Sequence, residues 1–272
     1  MLEEANRVVP ALRPALSAHP WRRILAVLVL AVTAAGLWAT HDRWWPWITS
    51  ASPYDATPAE NFPVGADGIR LPDAQAVPGM TAPQVAAALG TVRDALQATY
   101  LDPALLNRHD PATLLSLLAP DSATAVRARL DTGQYGTTLI RFSPGVTLAA
   151  TPRVSGQVNY HRVDWDGLPA LDVTSNYVIA YAFALPSGVV VVHAETHWMF
   201  PLGNDLRPSS RGMYLGRTTG YWHGMDCTAA ARGLTAPAPG KDARADPNFH
   251  DTDPLDAYFD RNRSTGVTSG CR

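Results

Sequence analysis

Two turn signals divide the second half of the chain into three segments of alternating apolar and polar residues. The first is Asp166-Gly167, which favours a two-residue hairpin turn, and the second is Ser187-Gly188. They predict a three-stranded antiparallel meander with the large apolar residues on one face. A slip of one residue at either turn would move those residues to the other face. The predicted partners are Val154 with Ile179 across the first turn, and Tyr181 with Ala194 across the second.

The opposite face of the meander carries three polar residues that suggest a metal site. His193, Glu195 and His197, here called the polar row, alternate along the third strand. Residues four apart on a straight strand are separated by roughly 13 to 14 Å, so the two histidines cannot share one ion. The sequence therefore predicts a solvated sheet face without catalytic, cofactor-binding or metal-binding residues. His161, opposite Asp172, is either a cross-strand support for the sheet or a histidine oriented as a general base.

Toward the second turn this polar face becomes apolar. The residues concerned, here called the apolar row, are Val178, Ala180, Ala182, Val189 and Val191. A strand end that is apolar on both faces needs a cover, because contiguous exposed apolar patches commonly mark interaction sites. Three covers fit the sequence: the C-terminal tail, a second copy of the domain, or a partner protein. The tail offers Phe249, Tyr258 and Phe259 for this purpose.

Before the meander, the apolar spacing is that of helices. Thr81 with Gln84 forms a capping-box pattern, after which apolar residues recur at helical intervals. Asp102-Pro103 and Asp110-Pro111 predict the starts of two shorter helices, and Asp121 is predicted to cap a further one. Helices followed by a meander indicate an α+β domain, with helices packed on a curved antiparallel sheet.

The N-terminal segment has the features of a membrane anchor. Residues 24–41 contain no Asp, Glu, Lys or Arg and are almost wholly apolar, close to the roughly 20 residues that cross a bilayer. Arginines precede this transmembrane helix in residues 1–23, which predicts a short cytoplasmic N-terminus and an outside location for the remaining chain. Trp44, Trp45 and Trp47 follow at the depth of an aromatic belt. The alternative is a signal peptide cleaved near Thr33-Ala34-Ala35.

Prolines and cysteines organise the remaining segments. Residues 42–80 contain six prolines and predict an extended, semi-rigid stalk before the extracytoplasmic domain, residues 81–225. Cys227 and Cys271 are the only two cysteines. In an oxidising compartment such a pair favours a disulfide over a metal site or a nucleophile. This disulfide would tie the tail, residues 226–272, to the domain.

With its amphipathic helix, short Asp-Pro helices and long meander, the chain resembles the cone-shaped NTF2-like α+β fold. Its layout of basic start, single span, proline-rich stalk and C-terminal cysteine is similar to that of uncharacterised actinobacterial single-pass membrane proteins. The resemblance implies a non-catalytic binding or assembly module of the cell envelope. The alternative that it implies is a pocket enzyme of isomerase, hydratase or cyclase type, with a buried Asp or His as general base.

One further observation favours the binding module over the pocket enzyme. Ser175 and Thr196 are the only small polar residues on the predicted inner sheet face, so the interior reads as a packed core. The expected partners are the lipid bilayer and either an envelope protein or a second copy of the chain. The net charge of −2 provides no basic surface for nucleic acid.

Overall fold

The computed structural model describes residues 52–131, 139–203, 205–239 and 253–271. The predicted cytoplasmic segment 1–23 and the predicted membrane span 24–41 lie outside these residues. Within the described part of the chain, no helix is long and apolar enough to cross a bilayer.

Helices occupy the region before the sheet, as the sequence predicts. Their bounds are α1 (Ala82–Tyr100), α2 (Pro103–Arg108), α3 (Ala112–Leu117) and α4 (Pro120–Asp131). The predicted capping box of α1 is present, and the Thr81 N–H donates to Oε1 of Gln84 at 2.8 Å. Asp102 caps α2 by accepting a hydrogen bond from the backbone N–H of Ala104. Asp121 is not the cap of α4 but lies in its first turn, where it accepts from the Ser210 hydroxyl.

A curved antiparallel sheet follows the helices. Its strands are β1 (Thr147–Leu148), β2 (Arg153–Trp165), β3 (Leu168–Leu185), β4 (Gly188–Pro201) and β5 (Tyr214–His223). Strand β3 pairs with β1 and β2 on one side and with β4 on the other, and β5 pairs with β4. The predicted meander is therefore confirmed as β2–β3–β4, and β5 extends it by a strand that the sequence pattern did not predict. A short helix, α5 (Cys227–Ala230), comes next. The domain is α+β, as predicted.

The predicted register of the first hairpin is confirmed. Val154 lies opposite Ile179, and the pairing continues to the turn. Asp166 and Gly167 have φ values of 52° and 79°. Two successive left-handed residues are what a two-residue turn of this type requires, so the dipeptide determines the register.

The predicted register of the second hairpin is wrong. Tyr181 lies opposite Val190 rather than Ala194, a shift of four residues along β4. The Ser187-Gly188 dipeptide lacks the positive φ values of the expected turn, and the chain reverses through a longer loop. Pro186 lies in that loop, where its missing N–H costs no strand pairing. Because the shift is even, every residue keeps its predicted face.

Residues 52–80 do not form the predicted extended stalk. They include two short 3-10 helices, Pro58–Asn61 and Gly65–Gly68, and they pack on the sheet. Tyr54, Ala59 and Ile69 are buried, and none exceeds 5% exposure. The prolines give this segment its lack of periodicity. The apolar side chains between the prolines nevertheless gain more from burial than an extended chain would from solvation.

The main core lies between the helices and the inner face of the sheet. Helix α1 contributes Val85, Leu89 and Val92, and the sheet contributes Tyr177 and Trp198. Each of these residues is at most 1% exposed. Full burial of such a side chain stabilises the fold by roughly 1.5–3 kcal/mol. The opposite face of the sheet carries a second, smaller core.

Candidate functional site

The apolar row lies in this second core and is covered by the chain itself. The cover consists of Tyr54 and Ala59 from the segment before α1, and of Tyr258 and Phe259 from the tail. Of the covers that the sequence leaves open, the tail is present, and the proline-rich segment joins it. The row is therefore core rather than an exposed interaction patch. Val189 is partly buried, and the other members are at most 1% exposed: Val178, Ala180, Ala182 and Val191.

The hydroxyl group of Tyr54 fixes the first covering segment to the sheet. It is directed at the carbonyl oxygens of Thr151 at 3.0 Å and Ala180 at 3.1 Å, and it accepts from the Ala182 N–H at 3.3 Å. Tyr54 is 1% exposed, and burial raises the pKa of its hydroxyl above the ordinary value. The neutral phenol thus links this segment to the centre of β3.

His193 is the most deeply buried member of the polar row, with 0% of its surface exposed. The Asn176 amide donates from Nδ2 to the carbonyl of Arg261, so its Oδ1 accepts from Nε2–H of His193 at 2.7 Å. The imidazole packs edge-on against Tyr221 with ring centroids 5.1 Å apart. Its Nδ1 has no hydrogen-bond partner among the described residues. Burial lowers the pKa of His193 to about 4, so the ring is neutral at pH 7.

His197 forms a hydrogen bond with a carboxylate of the neighbouring strand. Its Nδ1 donates to Oδ2 of Asp172 at 2.8 Å, and Oγ1 of Thr174 lies 3.4 Å from the same Nδ1. The other ring nitrogen, Nε2, is 3.9 Å from Oε1 of Glu195, too far for a hydrogen bond. An Asp–His pair can orient an imidazole as a general base. Here, however, Nε2 is closed off from solvent, so a substrate could not reach the atom that would take the proton.

The polar row is therefore not the solvated face that the sequence predicts. The even shift of the second hairpin places Asn176 opposite Glu195, where the predicted register has Ala180. It also brings Asp172 within reach of His197. His161 does lie opposite Asp172, as predicted, but it is exposed, and the carboxylate bonds to His197 instead. In the described ranges, no group of three or more His, Cys, Asp or Glu residues has the geometry to hold a metal ion.

The tail crosses this face and is held there by side chains of both segments. The Tyr221 hydroxyl donates to the carbonyl of Tyr258 at 3.1 Å. The Arg263 guanidinium carbon lies 4.3 Å from the centroid of the Tyr258 ring, and its Nη2 donates to Asp253 at 2.6 Å. Phe249, the third aromatic residue expected in the cover, lies outside the described residues. The tail thus shields the polar row as well as the apolar row.

The end of the tail is fixed by the cysteine pair. Cys227 at the start of α5 and Cys271 lie at disulfide distance, with their Cα atoms 5.3 Å apart, as the sequence predicts. The link closes a loop across 44 positions of the chain. A covalent closure of this length anchors the tail on the domain.

An open cleft of about 810 Å³ lies between the end of β5, the tail and the disulfide. Tyr221, His223, Tyr258 and Arg263 contribute to its lining. The His223 ring stacks on Tyr258 with centroids 3.8 Å apart. Its volume lies in the range of roughly 300–1,000 Å³ that is common for ligand sites. The sequence pattern missed this cleft because it missed β5.

Polar groups on the inner sheet face bond to their neighbours. Trp198 Nε1–H donates to the Ser175 hydroxyl at 2.9 Å, and the Tyr181 hydroxyl donates to the carbonyl of Tyr100 at 2.9 Å. Thr196 is 2% exposed and, like Ser175, buried within the core. The buried aspartate and histidine of the described residues are Asp172 and His193, and both lie on the second face. The described interior therefore offers hydroxyl groups rather than a general base.

No protein family model, curated protein or solved structure matches this chain.

Proposed function

We propose that this chain is a single-pass membrane protein whose α+β domain, an NTF2-like cone, serves outside the cytoplasm as a non-catalytic binding or assembly module of the cell envelope. The N-terminus lies in the cytoplasm, and residues 24–41 anchor the chain in the bilayer. The partner is an envelope protein or a second copy of the chain, and not a nucleic acid.

The main support for a location outside the cytoplasm is the cysteine pair. The only two cysteines of the chain, Cys227 and Cys271, lie at disulfide distance, although 44 positions separate them. Structural disulfides persist in oxidising compartments and are rare in the cytosol. The apolar segment and the arginines before it supply a route to such a compartment.

The non-catalytic role is supported by the state of the two candidate bases. His193 has no exposed surface, and the free nitrogen of His197 is closed off from solvent. A general base must come within hydrogen-bond reach of the proton that it removes. Both histidines instead belong to a polar layer between the sheet and the tail, which stabilises the domain.

The topology is tested with reporter fusions to the full chain. Alkaline phosphatase fused after Arg272 is expected to be active, and green fluorescent protein at the same position is expected to be dark when exported through the general secretory route. Fusions after Arg23 serve as the matched control and are expected to give the opposite pattern. Fluorescence without phosphatase activity after Arg272 would contradict the proposal.

The binding role is tested by crosslinking the full chain in native membranes, followed by purification and mass spectrometry. A reproducible crosslink between described surface residues and one envelope protein, or between two copies of the chain, is the expected result. Recovery of the chain as an uncrosslinked monomer at every crosslinker length would contradict an assembly role.

A further inference from the structure

Strand β2 lies at an edge of the sheet, and its second half is uncovered. The strand pairs with β3 and with no other named strand. The carbonyl of Pro63 accepts from the Val154 N–H, so the segment before α1 covers the beginning of β2. Toward the turn, however, His161, Arg162 and Asp164 are exposed. This part of the edge is therefore open to solvent.

The register shows which backbone groups point outward from this edge. The Val154 N–H points away from β3, because it bonds to the segment before α1. The ladder with β3 continues to the turn without a register shift, so every second residue after Val154 has the same orientation. Near the turn these residues are Tyr160, Arg162 and Asp164. Their backbone N–H and C=O groups have no hydrogen-bond partner in the described part of the chain. Such a row is a template for another strand.

Two opposite charges lie along this row of backbone groups. Arg162 and Asp164 are on the same face of β2, because they are two positions apart. Arg162 forms no ion pair with any of the described residues. Asp164 accepts the Gly167 N–H at Oδ1 over 2.9 Å, and no described group bonds to its Oδ2. Charges on an edge strand discourage pairing with most other strands. A strand that carries the opposite charges at the matching positions is the exception.

We propose that this strand is β2 of a second copy of the chain, and that the two copies pair antiparallel about a two-fold axis at Val163. The inference rests on the proposed binding or assembly function and identifies the partner as a second copy. The axis places Arg162 of each copy opposite the partner's Asp164, and the outward N–H and C=O groups of these residues bond to each other. Opposite charges in such cross-strand pairs stabilise an antiparallel sheet. On the other face, His161 lies beside the partner's Trp165.

The charges select this axis over the neighbouring ones. An axis at Arg162 would place two guanidinium groups opposite each other, and an axis at Asp164 would place two carboxylates opposite each other. Like charges in directly opposite positions destabilise a sheet. An axis at Tyr160 or His161 would leave both charges opposite uncharged residues. The axis at Val163 alone among these pairs each arginine with an aspartate and opposes no like charges.

The pairing is tested by cysteine crosslinking in intact cells that produce the full chain, with a membrane-permeable oxidant. Val163 faces itself across the axis in a pair without mutual hydrogen bonds, where Cα atoms are about 4.5 Å apart. This separation permits a disulfide, so Val163→Cys is expected to form a 163–163 link between copies. Peptide mapping confirms that the native Cys227–Cys271 link is intact.

His161→Cys is the matched control for random collision. His161 is exposed and Val163 is half-buried, so random collision would favour the control. The proposed axis instead separates the two copies of position 161 by roughly 13 Å or more, because they are offset by four residues along the strands. A link yield from His161→Cys equal to or above that of Val163→Cys would overturn the proposal.

The role of the charges is tested in the Val163→Cys background. Arg162→Asp places carboxylates opposite each other and is expected to lower the yield of the 163–163 link about tenfold. Arg162→Lys keeps the positive charge and is expected to retain the link. Equal yields from these two variants would refute the proposed register.

Hydrogen exchange of the wild type avoids dependence on any variant. Raising the concentration of the purified full chain in micelles about a hundredfold is expected to slow exchange of the Arg162 and Asp164 N–H groups by mass action. Unchanged exchange at both positions would overturn the proposal. These readouts do not depend on topology, which the reporter fusions test separately. A crosslink to another envelope protein without the 163–163 link would support the binding function and refute this inference.

Discussion

His193 is expected to make the domain sensitive to acid. Its pKa is about 4 in the folded state, below the ordinary value of 6.5, because the ring is buried. Asp260 raises this pKa and Arg263 lowers it, but burial is the largest cause. A second proton would sit on Nδ1, which has no acceptor among the described residues. Between pH 6.5 and 4, the unfolded chain therefore binds a proton that the folded chain does not.

The sign and size of the effect follow from proton linkage. The stability that neutral His193 contributes is fully present above about pH 6.5 and is lost as the pH falls toward 4. A shift from 6.5 to about 4 removes roughly 1 kcal/mol at pH 5.5 and roughly 2–3 kcal/mol at pH 4.5. Losses of this size are a large fraction of the roughly 5–15 kcal/mol by which native proteins are stable.

The assay compares urea denaturation of the wild type, His193→Gln and His161→Gln at pH 7 and pH 4.5. Glutamine does not titrate and keeps a donor for Asn176, whereas His161 is exposed and serves as the matched control. The wild type and His161→Gln are expected to lose about 2 kcal/mol more unfolding free energy on acidification than His193→Gln. Equal losses in all three proteins would refute the assignment of this acid sensitivity to His193.

Three further perturbations test the covered face. Cys271→Ser is expected to lower the unfolding free energy by about 4 kcal/mol, because the disulfide no longer restricts a loop across 44 positions in the unfolded chain. Equal urea midpoints for the variant and the oxidised wild type would contradict this. Val191→Asp places an unpaired charge in the second core and is expected to lower the unfolding free energy by more than about 3 kcal/mol. Its control is Leu255→Asp, at a residue 46% exposed, which is expected to change the unfolding free energy by less than about 0.5 kcal/mol. Similar melting temperatures for these two variants would be the contrary result. Replacing the polar row by serines is expected to lower the melting temperature without changing the zinc content measured by mass spectrometry; stoichiometric zinc in the wild type that is lost in the variant would overturn the geometric argument.

The sequence predicts which face of the sheet a strand residue occupies more reliably than which residue lies opposite it on the neighbouring strand. A strand repeats every two residues, so a shift of four residues between β3 and β4 preserves the inside and outside of both strands. The apolar pattern therefore could not distinguish the predicted pairing of Tyr181 from the observed pairing with Val190. The first hairpin was fixed by turn chemistry, since Asp166-Gly167 adopts the conformation that its residue types favour. The hydrogen bonds of His193 with Asn176 and of His197 with Asp172 were not predicted, because they depend on which residues lie opposite one another.

The remaining differences have equally local causes. Strand β5 escaped prediction because it contains Gly216 and Gly220, and glycine is depleted in strands. A side chain at Gly216 would approach the carbonyl oxygen of His197 to 2.8 Å, so the close contact of β4 and β5 requires glycine there. In residues 52–80, prolines concealed the apolar residues that pack on the sheet. The capping box of α1 and the pairing of Cys227 with Cys271 were predictable because each depends on few residues.

The double cover of the second face also determines when the domain can finish folding. Phe62, near the start of the described chain, packs against Phe259, near its end, with ring centroids 6.2 Å apart. These residues are synthesised almost 200 positions apart, so the first covering segment must wait for the last part of the chain to emerge. Contacts of such long sequence separation form slowly, and the apolar strand surface beneath them is prone to aggregation until they do. Until Tyr258 and Phe259 have been synthesised, the apolar row therefore lacks the part of its cover that the tail supplies.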